Sequence, residues 1–417
     1  MCLDRVHFYE FIPVKSYNTP MLSKKSSNLN LILMSAVGII LSYIKFSPCI
    51  NQNFSGLSAT RSGCYSDIPI FWNKHLLEIH LWPYQFTSLM EIAQVINPIE
   101  YPFLTGLVIW IISFITLNPD SFGVGFFFIN SLINSFLFIT TVILINKIKP
   151  KSSIYFALAP AVFFSIFINW DLYAVLTTLI SIYFYDKNKL QFSALFLAIA
   201  VSFKFYPVVL IFAILIIGIR RKEIYKTVFY IFNTVIFFII INLIPVLINF
   251  KGWFYFYQVS FNRKGGSGSI WEFLALNGIE VKGLNYLAIS ATFLTYVAVA
   301  LYFLKFHKDL NLASMAFLCV FAFVLFNKVY SPQFVIWLTS LAVLTLNKKI
   351  QKCLFGLWQF AEIIFHFAVW RYLYWQGFGN QTSGVSDQAF KWLIVFRILC
   401  LLLFASSLIL RTRESYK

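Results

Sequence analysis

Apolar runs of 15 to 25 residues recur along this chain from position 31 to position 410, and nothing else in the sequence constrains the fold as much. A helix needs roughly 20 such residues to cross a ~30 Å hydrocarbon core. Backbone groups in lipid must be bonded within the protein, so helices are the simplest way across. A β-barrel would instead show alternating segments of about 10 residues, which are absent. Composition agrees: 59% of the residues are hydrophobic and 12% charged, against about 25% charged in soluble domains. The expected fold class is an all-α membrane protein with about 12–13 transmembrane or re-entrant helices.

The apolar segments fall at about 31–47, 103–118, 122–146, 154–168, 172–185, 190–203, 205–219, 225–249, 285–304, 312–326, 333–346, 354–370 and 389–410. They divide the chain into a cytosolic N-terminal segment (1–30), a polytopic membrane domain (31–410) and a cytosolic tail (411–417). The first run follows Arg5, Lys15, Lys24 and Lys25 without a convincing small-residue cleavage site, and reads as a retained helix. Long polar intervals at 48–102, 251–284 and 371–388 are expected as external loops.

The net charge of +17 has a topological reading. Many cations sit in short clusters between apolar runs: Lys24-Lys25, Lys147 to Lys151, Arg220-Arg221-Lys222, Lys348-Lys349, Arg411 and Arg413. That is positive-inside topogenesis, which also favours anionic lipid surfaces, and it removes nucleic acid as a partner. Thirteen crossings would leave the termini on opposite sides, whereas the cations place both in the cytosol. One run between 103 and 219 is therefore re-entrant, or two runs are one; 190–219, broken by Lys204 and Pro207, is the expected place.

Few residues are candidates for chemistry. Asp67 sits in CYSDIPIFW among aromatics, with WPY at 82–84 downstream. It reads either as a helix cap before Pro69 or as a carboxylate that takes a proton from a sugar hydroxyl. Asp171, opening an apolar run in NWDLYAV, is likewise a cap or a functional group. Lys204, in SFKFYP, is a snorkelling lysine or a ligand for a lipid phosphate. Arg263 and Lys264 precede a Gly265-Gly266-Ser267-Gly268-Ser269 run that is a flexible linker or a phosphate cradle. Cys49 and Cys64 share one loop, as a disulfide or as two unrelated thiols. Asn53 and Asn380 head N-x-[ST] triplets, which matter only in a glycosylating secretory system. The histidines lack i, i+4 pairing and there is no D-x-D pair, so neither a metal nor a cofactor is expected.

Taken in order, Cys64-Tyr65-Ser66-Asp67, Glu100-Tyr101-Pro102, Asn169-Trp170-Asp171, Lys204-Phe205-Tyr206-Pro207, Arg263 with Gly268-Ser269-Ile270-Trp271, and Tyr330-Ser331-Pro332-Gln333-Phe334 form a pattern. It resembles the polytopic glycosyltransferases of the GT-C type, and within them the alpha-mannosyltransferase-like family 87. The resemblance covers about 31–410 through short motifs whose order carries the weight. It implies a GT-C architecture with a long first external loop. It implies inverting transfer of a sugar, mannose foremost, from a polyprenyl-phosphate donor to a lipid or glycan acceptor at the extracytoplasmic face of the cell membrane. On this resemblance Asp67 is the general base. Lys204, Arg263, Lys264, Tyr206, Asp171, Glu100, Tyr101, Tyr330 and Gln333 hold the donor phosphate and the rest of the substrate. The competing readings are a transporter or flippase of lipid-linked sugars, which would favour internal repeats that are not evident, and a non-catalytic envelope assembly factor. A transferase of the implied kind keeps its activity in EDTA; strict dependence on a divalent cation contradicts it.

Overall fold

Apolar side chains repeat around each run, and polar or proline residues mark where it stops. The computed structural model describes residues 21–89, 94–116, 122–266, 268–306, 311–378 and 384–414. The helices are α1 (Met21–Ile50), α2 (Gly56–Ser62), α3 (Asp67–Lys74), α4 (Phe103–Ile115), α5 (Val124–Ile148), α6 (Ser153–Ala157), α7 (Pro160–Phe163), α8 (Asp171–Asp186), α9 (Leu190–Phe203), α10 (Leu210–Arg221), α11 (Ile224–Asn262), α12 (Ile270–Leu276), α13 (Leu284–Phe306), α14 (Leu312–Phe326), α15 (Phe334–Ala342), α16 (Lys349–Phe378) and α17 (Asp387–Glu414). Among the described residues, six stretches are long and apolar enough to cross a membrane, in α1, α5, α11, α13, α16 and α17. The chain is helical and built as a membrane protein is.

The polar intervals are more structured than loops. The first contains a short antiparallel pair, β1 (Thr87–Leu89) and β2 (Gln94–Ile96), with Thr87 opposite Ile96. The second is helical at its start, because α11 runs on to Asn262. Its aromatic run (Trp253, Phe254, Tyr255, Tyr257) is compatible with helix, and the interruption is only a kink. Pro245 lies within α11 and Asn249 is non-helical (φ −154°, ψ 89°). Asn249 is fixed there by donating from Nδ2 to the Tyr84 carbonyl (3.0 Å) and accepting from the Gly252 N–H (3.1 Å). Gly252 is required at this crossing, since a Cβ would collide with the Tyr84 carbonyl. The third interval likewise opens with the last turns of α16.

Contacts fix which helix ends share a face. Cys49 of α1 is bonded to Cys64, and Lys204 after α9 meets Asp171 at the start of α8. Arg263 after α11 meets Glu100, and Gln376 of α16 bonds Asp387 of α17. At the opposite face Lys149, after α5, donates to the Leu344 and Leu346 carbonyls beyond α15. Helix α4 begins beside Tyr101, which bonds Asp67 of α3; the chain returns at Gly123, against Pro69 and Trp72 of the same helix. Along its length α4 packs on Tyr84, Trp82 and His80 of the same interval, and it adds no net passage. The other twelve apolar runs lead from face to face, and both described ends of the chain lie opposite Asp67. The expected break at 190–219 is thereby moved: α9 and α10 run in opposite directions, and the odd segment is α4.

One lock holds the C-terminal helices. Arg397 of α17 and Glu362 of α16 are buried (0% and 1% exposed) and 2.8 Å apart. Glu362 also accepts from Tyr330 (2.6 Å) and Trp358 (2.9 Å), and Arg397 donates to the Tyr330 carbonyl (2.6 Å). Removing one partner strands the other charge, which costs about 3–5 kcal/mol. Arg397→Met is expected to lower the thermal midpoint in detergent sharply, while Glu362→Leu/Arg397→Met together recover most of the loss. Equal midpoints for wild type and Arg397→Met contradict the lock.

Candidate active site

The site begins with a failure of helix. The 154–168 run, largely apolar, does not form one helix: α6 ends at Ala157, Pro160 opens the single turn of α7, and residues 164–168 form successive turns. Proline has no N–H to continue the ladder and clashes with the preceding turn. That ends α6; beyond Phe163 no helix resumes until Asp171, and the carbonyls open in between are met from other elements. Asn134 of α5 donates to the Ile166 and Asn169 carbonyls (both 3.0 Å). Ser66 donates to the Phe167 carbonyl (2.8 Å), and the Asp67 N–H donates to the Ile168 carbonyl (2.8 Å).

Those bonds place Asp67. Ser66, not Asp67, is the N-cap of α3, its hydroxyl accepting from the Ile68 N–H (3.2 Å). The Asp67 carboxylate is left to other partners. The Tyr65 hydroxyl donates to Oδ1 (2.8 Å) and the Tyr101 hydroxyl to Oδ2 (2.9 Å). Burial first, and then the negative charge of Asp67, push both hydroxyls far above the ordinary tyrosine range. Both therefore stay protonated and donate. Tyr65 is held from behind by stacking on Trp370 (4.4 Å between ring centres). The Cys49–Cys64 disulfide ties the segment before Tyr65 to the end of α1.

Lys204 and Asp171 complete the cluster. Lys204 is the C-cap of α9 with extended backbone, just ahead of the turn that holds Pro207. Its ammonium lies 4.3 Å from the centre of the Tyr101 ring and 2.7 Å from Asp171 Oδ1. Asp171 is 1% exposed and occupies the first position of α8, after the N-cap Trp170. Its side chain serves Lys204 instead of capping the helix. Asp67, Tyr101, Lys204 and Asp171 thus form one continuous chain of contacts. The breaks at 164–170 and 204–206 both reach it; irregular backbone at such depth is tolerated where it is bonded by protein or lines a cavity.

The remaining candidates divide. Glu100 pairs with Lys74 (2.7 Å) and Arg263 (3.4 Å) at the half-exposed rim. Arg263 borders an open groove of about 360 Å³ with Tyr255, Gln258, Val259 and Asn262, and Lys264 is exposed beside it. Gln333, one turn before Trp337 on α15, has a buried Oε1 with no protein donor among the described residues. Tyr206 is buried and stacked on Trp337 (4.2 Å), so it builds the wall. Tyr330 belongs to the Glu362–Arg397 lock and is closed to substrate there. The glycine run is no phosphate cradle: the Gly266 N–H donates to the Lys328 carbonyl and the Gly268 N–H to Glu272, while Ser267 lies outside the described residues. Sequence reasoning missed the roles of Tyr65 and Trp370. Tyr65 was visible two positions before Asp67, whereas no local signal marks Trp370.

Among the described residues, no three His, Cys, Asp or Glu side chains gather to hold a metal ion. No model of a known protein family matches the chain, and neither does any curated protein.

The two ion pairs differ in worth. Asp171→Asn strands a mostly buried ammonium and is expected to cost about 3–5 kcal/mol. Lys74→Ala breaks a pair whose side chains are 47% and 26% exposed, a class worth about 0–1 kcal/mol. Thermal unfolding of both variants in detergent checks the order; equal losses contradict it.

Proposed function

We propose that this protein is an inverting glycosyltransferase of the GT-C kind, moving a sugar, mannose foremost, from a polyprenyl-phosphate donor to a lipid or glycan acceptor. The observation that carries the reading is that Asp67 and Lys204 meet the same side chain: Asp67 at the hydroxyl of Tyr101, Lys204 over its ring. A carboxylate and a cation one tyrosine apart match the two needs of such a transfer. The acceptor hydroxyl replaces one tyrosine hydroxyl at Asp67, which takes its proton as the oxygen attacks the anomeric carbon. The bond from that carbon to the phosphate oxygen breaks, and the phosphate leaves with the electron pair. Lys204 meets the charge that develops there. A single displacement inverts the anomeric centre. Asp171 aims Lys204, and Arg263 and Lys264 at the exposed rim attract the anionic head of the donor.

Two observations support an extracytoplasmic site in a multi-pass cell-membrane protein. The Cys49–Cys64 disulfide adjoins Asp67, and disulfides persist in oxidising compartments. The helix ends and turns holding Lys147, Lys149, Lys151, Arg220, Arg221, Lys222, Lys348 and Lys349 lie at the opposite face, as positive-inside topology requires.

Purified protein incubated with radiolabelled polyprenyl-phosphate mannose and envelope lipids tests the proposal. Wild type is expected to label an acceptor. Asp67→Asn, folded as judged by its thermal midpoint, is expected to transfer at least about 100-fold more slowly. Near-normal turnover in that variant removes Asp67 from the mechanism.

A further inference from the structure

The turns at 164–168 receive a bond that the chemistry above does not use. Lys45 is the one cation in the apolar stretch of α1 between Asn28 and Ile50. A lysine near a helix end ordinarily extends toward the polar surface. This one turns inward and is 8% exposed. Its ammonium donates to the Phe164 carbonyl (2.8 Å) and lies 2.6 Å from His366 Nε2 on α16. His366 is buried, and its Nδ1 faces the Ser165 hydroxyl at 3.4 Å. Besides Lys45, the charge that acts on it is Arg397 of α17, which Glu362 of α16 matches.

The position of the Phe164 carbonyl gives this bond its consequence. Three and four residues on, the Phe167 and Ile168 carbonyls accept from the Ser66 hydroxyl and the Asp67 N–H. Lys45 from α1 and the N-terminus of α3 therefore grip the two ends of one short run of turns. That run has no helical ladder to keep its shape. We infer that Lys45 is a positioning residue for Asp67, acting through the backbone of residues 164–168. His366 holds the ammonium on the Phe164 carbonyl, and Lys45 itself stays out of reach of any substrate. The kinetic consequence rests on the transferase reading; the structural one does not.

Hydrogen–deuterium exchange on the full chain in detergent tests it without any substrate. The Asp67 N–H, bonded to the Ile168 carbonyl, reports whether the turns hold. In Lys45→Met its exchange is expected to rise about tenfold or more, since local opening is governed by the contacts that close a segment. The rise is confined to peptides covering 64–72 and 160–170. Lys45→Arg keeps a donor and is expected to restore most of the protection. His366→Leu removes only the acceptor and gives a milder rise, which keeps the test usable if Lys45→Met does not fold. Unchanged exchange in both Lys45→Met and His366→Leu overturns the inference, and so does a uniform rise in every helix. Where wild type transfers sugar, Lys45→Met is expected to lose kcat about tenfold with the donor KM unchanged, because misplacing a reacting group acts on the chemical step. A raised KM with unchanged kcat contradicts positioning. Localised exchange in a protein that transfers no sugar supports the role of Lys45 and counts against the transferase reading.

Discussion

A buried carbonyl must find a donor, and the carbonyls of residues 164–169 organise the site around that need. In an apolar bundle an unmet carbonyl costs as much as a lost hydrogen bond or more. No helix runs between Phe163 and Asp171, so the donors come from α1, the N-cap of α3 and α5. A cost that would unfold an isolated segment becomes a means of alignment. The bonds that satisfy these carbonyls also bring Asp67 to its place, three residues after a disulfide and between two tyrosine hydroxyls.

Buried charge follows the same logic at higher stakes. Lys204 with Asp171, and Arg397 with Glu362, are matched inside a bundle that carries few other charges. Their neutral neighbours are chosen to donate or to stack: Tyr101 under Lys204, Tyr330 under Arg397. One pair lies beside the partly buried carboxylate of Asp67 and the other is sealed. That difference separates a pair suited to chemistry from one that fastens helices.

Much of the fold was legible because membrane helices announce themselves locally. The runs at 122–146 and 190–203 match α5 and α9 within a few residues. What escaped depends on distant partners. The kink at Asn249 needs the Tyr84 carbonyl, so a polar aromatic stretch read as loop is helix. Whether α4 passes through the bundle depends on where Gly123 returns, which α4's own hydropathy does not encode. Asp67, Tyr101, Lys204 and Asp171 come together from four separate motifs. Tyr330 does not join them, because Glu362 and Arg397 claim it from helices far along the chain. The glycine run, read as linker or phosphate cradle, could not be decided locally, because the Gly266 and Gly268 N–H groups are bonded to the distant Lys328 carbonyl and to Glu272.

On the proposed reading, the Asp67–Tyr101–Lys204–Asp171 chain of contacts faces a lipid-linked sugar. A cryo-EM structure of the protein with a non-hydrolysable polyprenyl-phosphonate sugar bound tests it most directly. The phosphonate is expected on the Lys204 ammonium, with the anomeric carbon turned toward Asp67. A ligand seated at the opposite face, or density at the rim with Lys204 still sealed against Asp171 and no path to Asp67, contradicts it.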